Sequence, residues 1–169
     1  MDYQEELVEF LVHFHIKRDY FECHEILEEV WQNEGRKSEI LVGLIQIAVC
    51  FYHYRRNNLS GAMKLAKRAL IKIGNNKKDF LALGFDYDSM IEKLKKTLTR
   101  LEQNLPYQAI ELPLHDECSL LSQYHKVTQK LKATDPYNVH SFIVHKHLLR
   151  DRSEVENNRK QALKSRSKK

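Results

Sequence analysis

At 169 residues the chain has the length of one domain, and it is long enough to bury a core without disulfides or a structural metal. Hydrophobic residues make up 42% and charged residues 30%, and five Gly and three Pro are too few for a turn-rich sheet protein, so the composition points to long helices. The net charge of +5 hides a polarity, because residues 1–60 hold six Lys and Arg against eleven Asp and Glu, whereas residues 146–169 hold nine against three.

The first predicted helix covers residues 3–15, where Leu7, Phe10, Leu11 and Phe14 recur at helical spacing and Glu5, Glu6 and Glu9 fall elsewhere. This acidic opening lacks the basic and apolar stretches of a signal peptide, so the expected location is the cytoplasm. Asp19 suits an N-cap and Glu22 the acid of a capping box, which starts a second helix at Tyr20 and carries it to Glu34 before Gly35. Ser38 caps a third helix over 40–54, apolar nearly all round, which Asn57 and Asn58 break. With Gln46 and His53 inside it, that run is too short and too polar to span a bilayer and reads as the central core helix.

Ser60 caps a fourth helix with Ala62, Leu65, Ala66, Ala69, Leu70 and Ile73 on one face, and Gly74 is placed to end it. A fifth covers 88–104, and residues 105–113, with two of the three prolines, form a boundary. Beyond it the sequence predicts helices over 116–131, from Asp135 with Pro136 at the first position, and from Ser153 into the Lys/Arg-rich end. Short loops make neighbouring helices antiparallel, so the expected fold is all-α, a compact bundle of antiparallel helix hairpins. Residues 1–105 are expected to form the bundle domain, 106–152 a helical extension packed on or near it, and 153–169 a partly disordered basic tail. Cys23, Cys50 and Cys118 are odd in number and widely spaced, which implies no disulfide framework.

On a wheel of the second helix, Glu22, Glu25 and Glu29 face away from the apolar arc of Tyr20, Cys23, Ile26, Leu27 and Val30, whereas His24 and Glu28 lie one turn apart at its rim. Gln46 and His53 share one stripe of the central helix and need partners, because an unsatisfied buried polar group costs about 1–3 kcal/mol. His24, Glu28, Gln46 and His53 are therefore expected to meet as a polar cluster. Three readings of it stay open: a network that fixes helix register, a metal site using His24, Glu28 and His53, and an acid–base or anion-binding pocket. Glu28 stands where a zinc protease needs histidine, and no second His-Glu-x-x-Glu run accompanies the first. No nucleophile or oxyanion hole is evident, so no catalytic residue and no cofactor is assigned. The tail supplies Lys146, Arg150, Arg152, Arg159, Lys160, Lys164 and Arg166 as candidate contacts to nucleic acid or another anion, but no aromatic residue for stacking bases.

The run RDYFECHEILEEVW over 18–31, followed by GLIQIAVCFYHYRRNNLSGAMKLAKRAL over 43–70, resembles the small helical family catalogued as domain of unknown function 309. The likeness spans about residues 8–105 and rests on Phe21, His24, Glu25, Glu28 and Trp31, then Gln46, His53, Asn58, Gly61 and Ala62 in order. It implies an all-helical bundle of the kind solved for prokaryotic members, and it brings no activity, cofactor or substrate. Residues 106–169 fall outside the family's core. The expected function is that of a non-enzymatic binding or adaptor protein for a macromolecular partner, with nucleic acid at the tail and a second copy of the chain among the partner classes left open. The alternative is a metal-dependent or acid–base enzyme built on His24, Glu28 and His53.

Overall fold

The computed structural model describes residues 2–149 together with Gln161, Leu163 and Lys164. Helix α1 (Gln4–Val12) runs into a π-helical turn (His13–Lys17), and α2 (Tyr20–Asn33), α3 (Glu39–Arg55) and α4 (Leu59–Asn75) follow. After them come α5 (Lys77–Ala82), α6 (Tyr87–Glu102), α7 (Ser119–Thr128), α8 (Ser141–Val144) and α9 (Lys146–Leu149). The fold is all-α, and among the described residues the one strand-like feature is an isolated antiparallel bridge between Phe85 and Leu114. No described helix is long and apolar enough to cross a membrane.

The all-round apolar helix α3 sits at the centre, with α2 and α4 as its main neighbours, while α1 packs on α2 and α6 on α4. Its Leu41, Leu44, Ile47 and Phe51 are fully buried, each side chain contributing about 2–3 kcal/mol of hydrophobic stabilisation. Gly43 lets α4 come close: a Cβ there would stand 3.2 Å from Ile73 Cγ1 and 3.3 Å from Lys72 Cβ. The buried Ala62, Ala66 and Ala69 present an equally small face from α4. Phe14 ties the π-helical turn to this core, its ring 4.9 Å from that of Tyr20 and 5.8 Å from that of Phe51.

The expected caps Asp19 and Ser38 accept from the Glu22 and Leu41 amides at 3.0 and 3.3 Å. Four expectations need correction. Asn58, not Ser60, caps α4, accepting from the Gly61 amide at 3.1 Å, because the left-handed Asn57 (φ 64°) ends α3 just ahead of it. Gly74 lies inside α4, which runs on to Asn75 and has its end satisfied by Asn76 Nδ2 donating to Lys72 O at 2.7 Å. The residues before the fifth predicted helix form the short α5, and Asp86 then starts α6 by accepting from the Ser89 amide at 3.1 Å. Asp135 and Pro136 open a turn and not a helix, since Asp135 Oδ1 takes the Tyr137 amide at 3.0 Å and its carbonyl takes the Asn138 amide at 3.1 Å. The helix expected from Ser153 lies outside the described residues, apart from Gln161, Leu163 and Lys164, which are helical.

Candidate functional site

The amphipathic spacing of α2 buries Tyr20, Cys23, Ile26, Leu27 and Val30 and leaves its acidic face toward solvent. At the rim, His24 Nε2 stands 2.8 Å from Glu28 Oε2 and Nδ1 3.5 Å from Glu25 Oε1, so carboxylates address both ring nitrogens. The imidazole packs edge-on against Phe21, with ring centroids 5.4 Å apart. The pairing expected for His24 and Glu28 is therefore present.

Around this pair opens a groove of about 780 Å³ between α1 and α2, lined by Glu6, Glu9, Glu22, Glu25, Glu28 and Glu29 together with His24. Its described lining contains no Lys or Arg. Like charges at i, i+4, as in Glu25 and Glu29, cost a helix a few tenths of a kcal/mol each, so the acidic face is not there to stabilise α2.

On the other flank, His24 and His53 share a smaller cavity of about 150 Å³ with Tyr20, Phe21, Val49, Tyr52 and His147. Burial and the neighbouring Arg56 hold the His53 imidazole below its ordinary pKa, and its Nδ1 lies 3.3 Å from Asn58 Nδ2. His53 therefore accepts there as a neutral base. Gln46 does not line this cavity; its Oε1 is buried without a hydrogen-bond partner. Among the described residues no three His, Cys, Asp or Glu side chains converge closely enough to hold a metal ion. Burial raises the Cys23 thiol and pushes Cys50 up to about 12, which keeps both as inert thiols.

Of the basic candidates, Lys146 is engaged within the molecule, its Nζ 2.9 Å from Asp19 Oδ2 and 3.2 Å from Glu22 Oε2. Lys164 is helical and exposed. Arg150, Arg152, Arg159, Lys160 and Arg166 lie outside the described residues.

A second polar cluster escaped the sequence reading. His15, buried in the π-helical turn, accepts from the Leu112 amide at Nε2 (2.8 Å) and meets the Tyr124 hydroxyl at Nδ1 (3.1 Å). Burial first, then Arg18 and Lys93, lower its pKa to about 3. The buried Arg18, left-handed at φ 52°, donates to Ile110 O at 3.0 Å and to Glu111 Oε1 at 2.6 Å. Arg55 in turn donates to Arg18 O at 2.6 Å and lies over the Tyr20 ring at 4.5 Å. One signal was available, since His15 continues the four-residue spacing of Leu7 and Leu11. Its partners, about a hundred positions away, left none.

The described side chains thus fasten residues 105–149 across the junction of α1, α2 and α3, next to the acidic groove. A family model for Domain of unknown function (DUF309) matches residues 7–65, which covers α1 through the first part of α4 and ends short of the 8–105 span expected from the motif. The chain is 34% identical over 173 aligned positions to Uncharacterized protein YpuF of Bacillus subtilis (strain 168), with 98% of each chain covered. No solved structure matches the chain. The matched motif together with a full-length relative makes this chain a member of the DUF309 family.

Proposed function

We propose that this protein is a non-enzymatic, cytoplasmic binding protein whose acidic groove receives a basic segment of a macromolecular partner. The observation that carries the reading is the groove itself: six glutamates from two helices line one concavity with no Lys or Arg in its described wall. Such a surface concentrates negative potential and steers cationic partners at rates that fall with ionic strength. In this reading residues 106–152 extend the 1–105 bundle domain, and 153–169 remain a separate basic surface for a further contact. The test is affinity capture with wild-type protein and with the Glu6→Gln/Glu9→Gln/Glu25→Gln/Glu29→Gln variant, followed by direct binding of the captured partner. A partner that binds wild type at least tenfold more tightly, through a Lys/Arg-rich segment and less so at high salt, supports the reading. Equal binding by the two proteins overturns it.

Acid–base chemistry is the second reading, favoured by the 2.8 Å His24–Glu28 contact beside the neutral His53. It draws on a cavity of only about 150 Å³, enough for a few heavy atoms of substrate. His24→Asn and His53→Asn distinguish a register role from chemistry: a register role shows as lost thermal stability, a chemical one as unchanged stability with lost turnover or ligand binding.

A further inference from the structure

We propose that residues 141–149 form a proton-operated latch, held closed by Arg56 only while His145 and His147 are uncharged. Arg56 follows α3, and its guanidinium lies over the Tyr52 ring at 5.3 Å. Its Nε donates to His145 Nδ1 at 3.2 Å, and its Nη1 lies 3.2 Å from His147 Nε2. A guanidinium has donors only and stays charged, so both imidazole nitrogens facing it must present lone pairs. His147 then carries its proton on Nδ1, which faces the Tyr52 hydroxyl, and that same oxygen accepts from the His147 amide at 3.2 Å. Both tautomers follow from the contacts with Arg56. A proton added to either ring converts its acceptor into a donor and sets a second positive charge about 3 Å from the guanidinium.

Among the described residues, the groups named around the latch come from α2, α3 and the segment itself. From α2, His24 faces it across the small cavity, and Asp19 and Glu22 face it through Lys146. From α3 come Tyr52 and His53, with Arg56 just beyond the helix end, and the segment itself brings His145, Lys146 and His147. Lys146 already engages Asp19 and Glu22, and those ion pairs do not depend on imidazole protonation. Acid therefore releases the Arg56 side of the latch and salt the Lys146 side, as two separate levers. Release removes the His147 wall of the cavity and bares the Tyr52 ring. This holds whatever the acidic groove binds.

Hydrogen exchange of the full chain tests it, expressed as protection factors so that the intrinsic pH dependence divides out. Between pH 7.5 and 5.5 we expect residues 141–149 to lose protection about tenfold or more while α3 is unchanged. In the His145→Asn/His147→Gln variant, whose amide oxygens offer acceptors to Arg56 without titrating, the profile should be flat. Equal wild-type protection at the two pH values overturns the latch, as does the same acid-induced loss in the double variant. Should the variant already be open at pH 7.5, NMR titration of the wild-type imidazoles decides. Opening and protonation of His145 and His147 then have to share a midpoint, and separate midpoints overturn the proposal.

Discussion

The bundle of α1–α4 and α6, and the segment 105–149 that lies across it, are held by different physics. In the bundle, Phe10, Phe14, Leu44, Phe51 and Leu94 are fully buried against one another, and stability comes from apolar area spread over many contacts. The segment buries Leu112 and Leu120 and packs Tyr107, Ile110, Leu114, Cys118 and Tyr124 partly buried against the same core, and much of the rest of its attachment comes from single polar side chains that seek its backbone. Tyr54 donates to Leu105 O and Pro106 O at 2.9 and 2.8 Å, Lys93 to Glu111 O at 2.8 Å, and Arg18 to Ile110 O at 3.0 Å. Apolar packing is redundant, whereas a polar pin is lost whole when one atom is removed or protonated. The bundle should therefore unfold as a unit, and the segment should lift without it.

The largest effect is expected from Phe51→Ala, which empties a fully buried site in α3 and should cost about 3–5 kcal/mol in urea denaturation. A loss below about 1 kcal/mol would erase the contrast between the two regions. Next comes acid acting on His15. The fold keeps this imidazole neutral with a pKa of about 3, while the unfolded chain accepts a proton below about 6.5. The contribution is complete above pH 6.5 and is lost as pH falls toward 3, by up to about 1.4 kcal/mol per unit. Wild type should therefore weaken between pH 6.5 and 4.5, and His15→Gln should weaken less over the same range; parallel curves would mean that another group carries the effect.

Tyr54→Phe, which leaves two carbonyls without their donor, should cost about 1–2 kcal/mol and raise hydrogen exchange near residues 105–107 before it touches α3. The smallest effect belongs to Lys146→Gln. Partly exposed pairs with Asp19 and Glu22 contribute about 0.5–1 kcal/mol, so the change should vanish in about 0.5 M salt.

Those two kinds of attachment also explain what was legible in the sequence. The caps at Asp19 and Ser38, the central position of α3 and the His24–Glu28 pair depend on residues within one or two helical turns of each other, and local spacing gives them away. His24 and His53 do share a cavity, since the stripe on α3 faces α2. Gln46, two turns before His53 on the same helix, does not line that cavity, and its side-chain carbonyl is buried without a hydrogen-bond partner. The π-helical turn adds a residue between α1 and α2, and this shift of about 100° in side-chain phase cannot be seen in a regular wheel. The pins of the segment 105–149 were invisible for a further reason. On the segment their partners are mostly backbone atoms, the Ile110 carbonyl as acceptor and the Leu112 amide as donor, which nearly every residue type supplies, so neither residue carries a mark of its partner. His147, which completes the cavity beside His24, lies 95 positions beyond Tyr52, and no local spacing announces that contact.

The claim on which the functional account rests is that the acidic groove is a receptor for positive charge. Titration of the ¹⁵N-labelled full chain with a deca-arginine peptide, followed by amide chemical shifts, tests it most directly. The account predicts shifts concentrated at Glu6, Glu9 and Glu22 through Glu29, with an affinity that falls steeply between 50 and 300 mM salt. Shifts scattered over other acidic positions such as Asp88 and Glu102, or none in the groove, would contradict it.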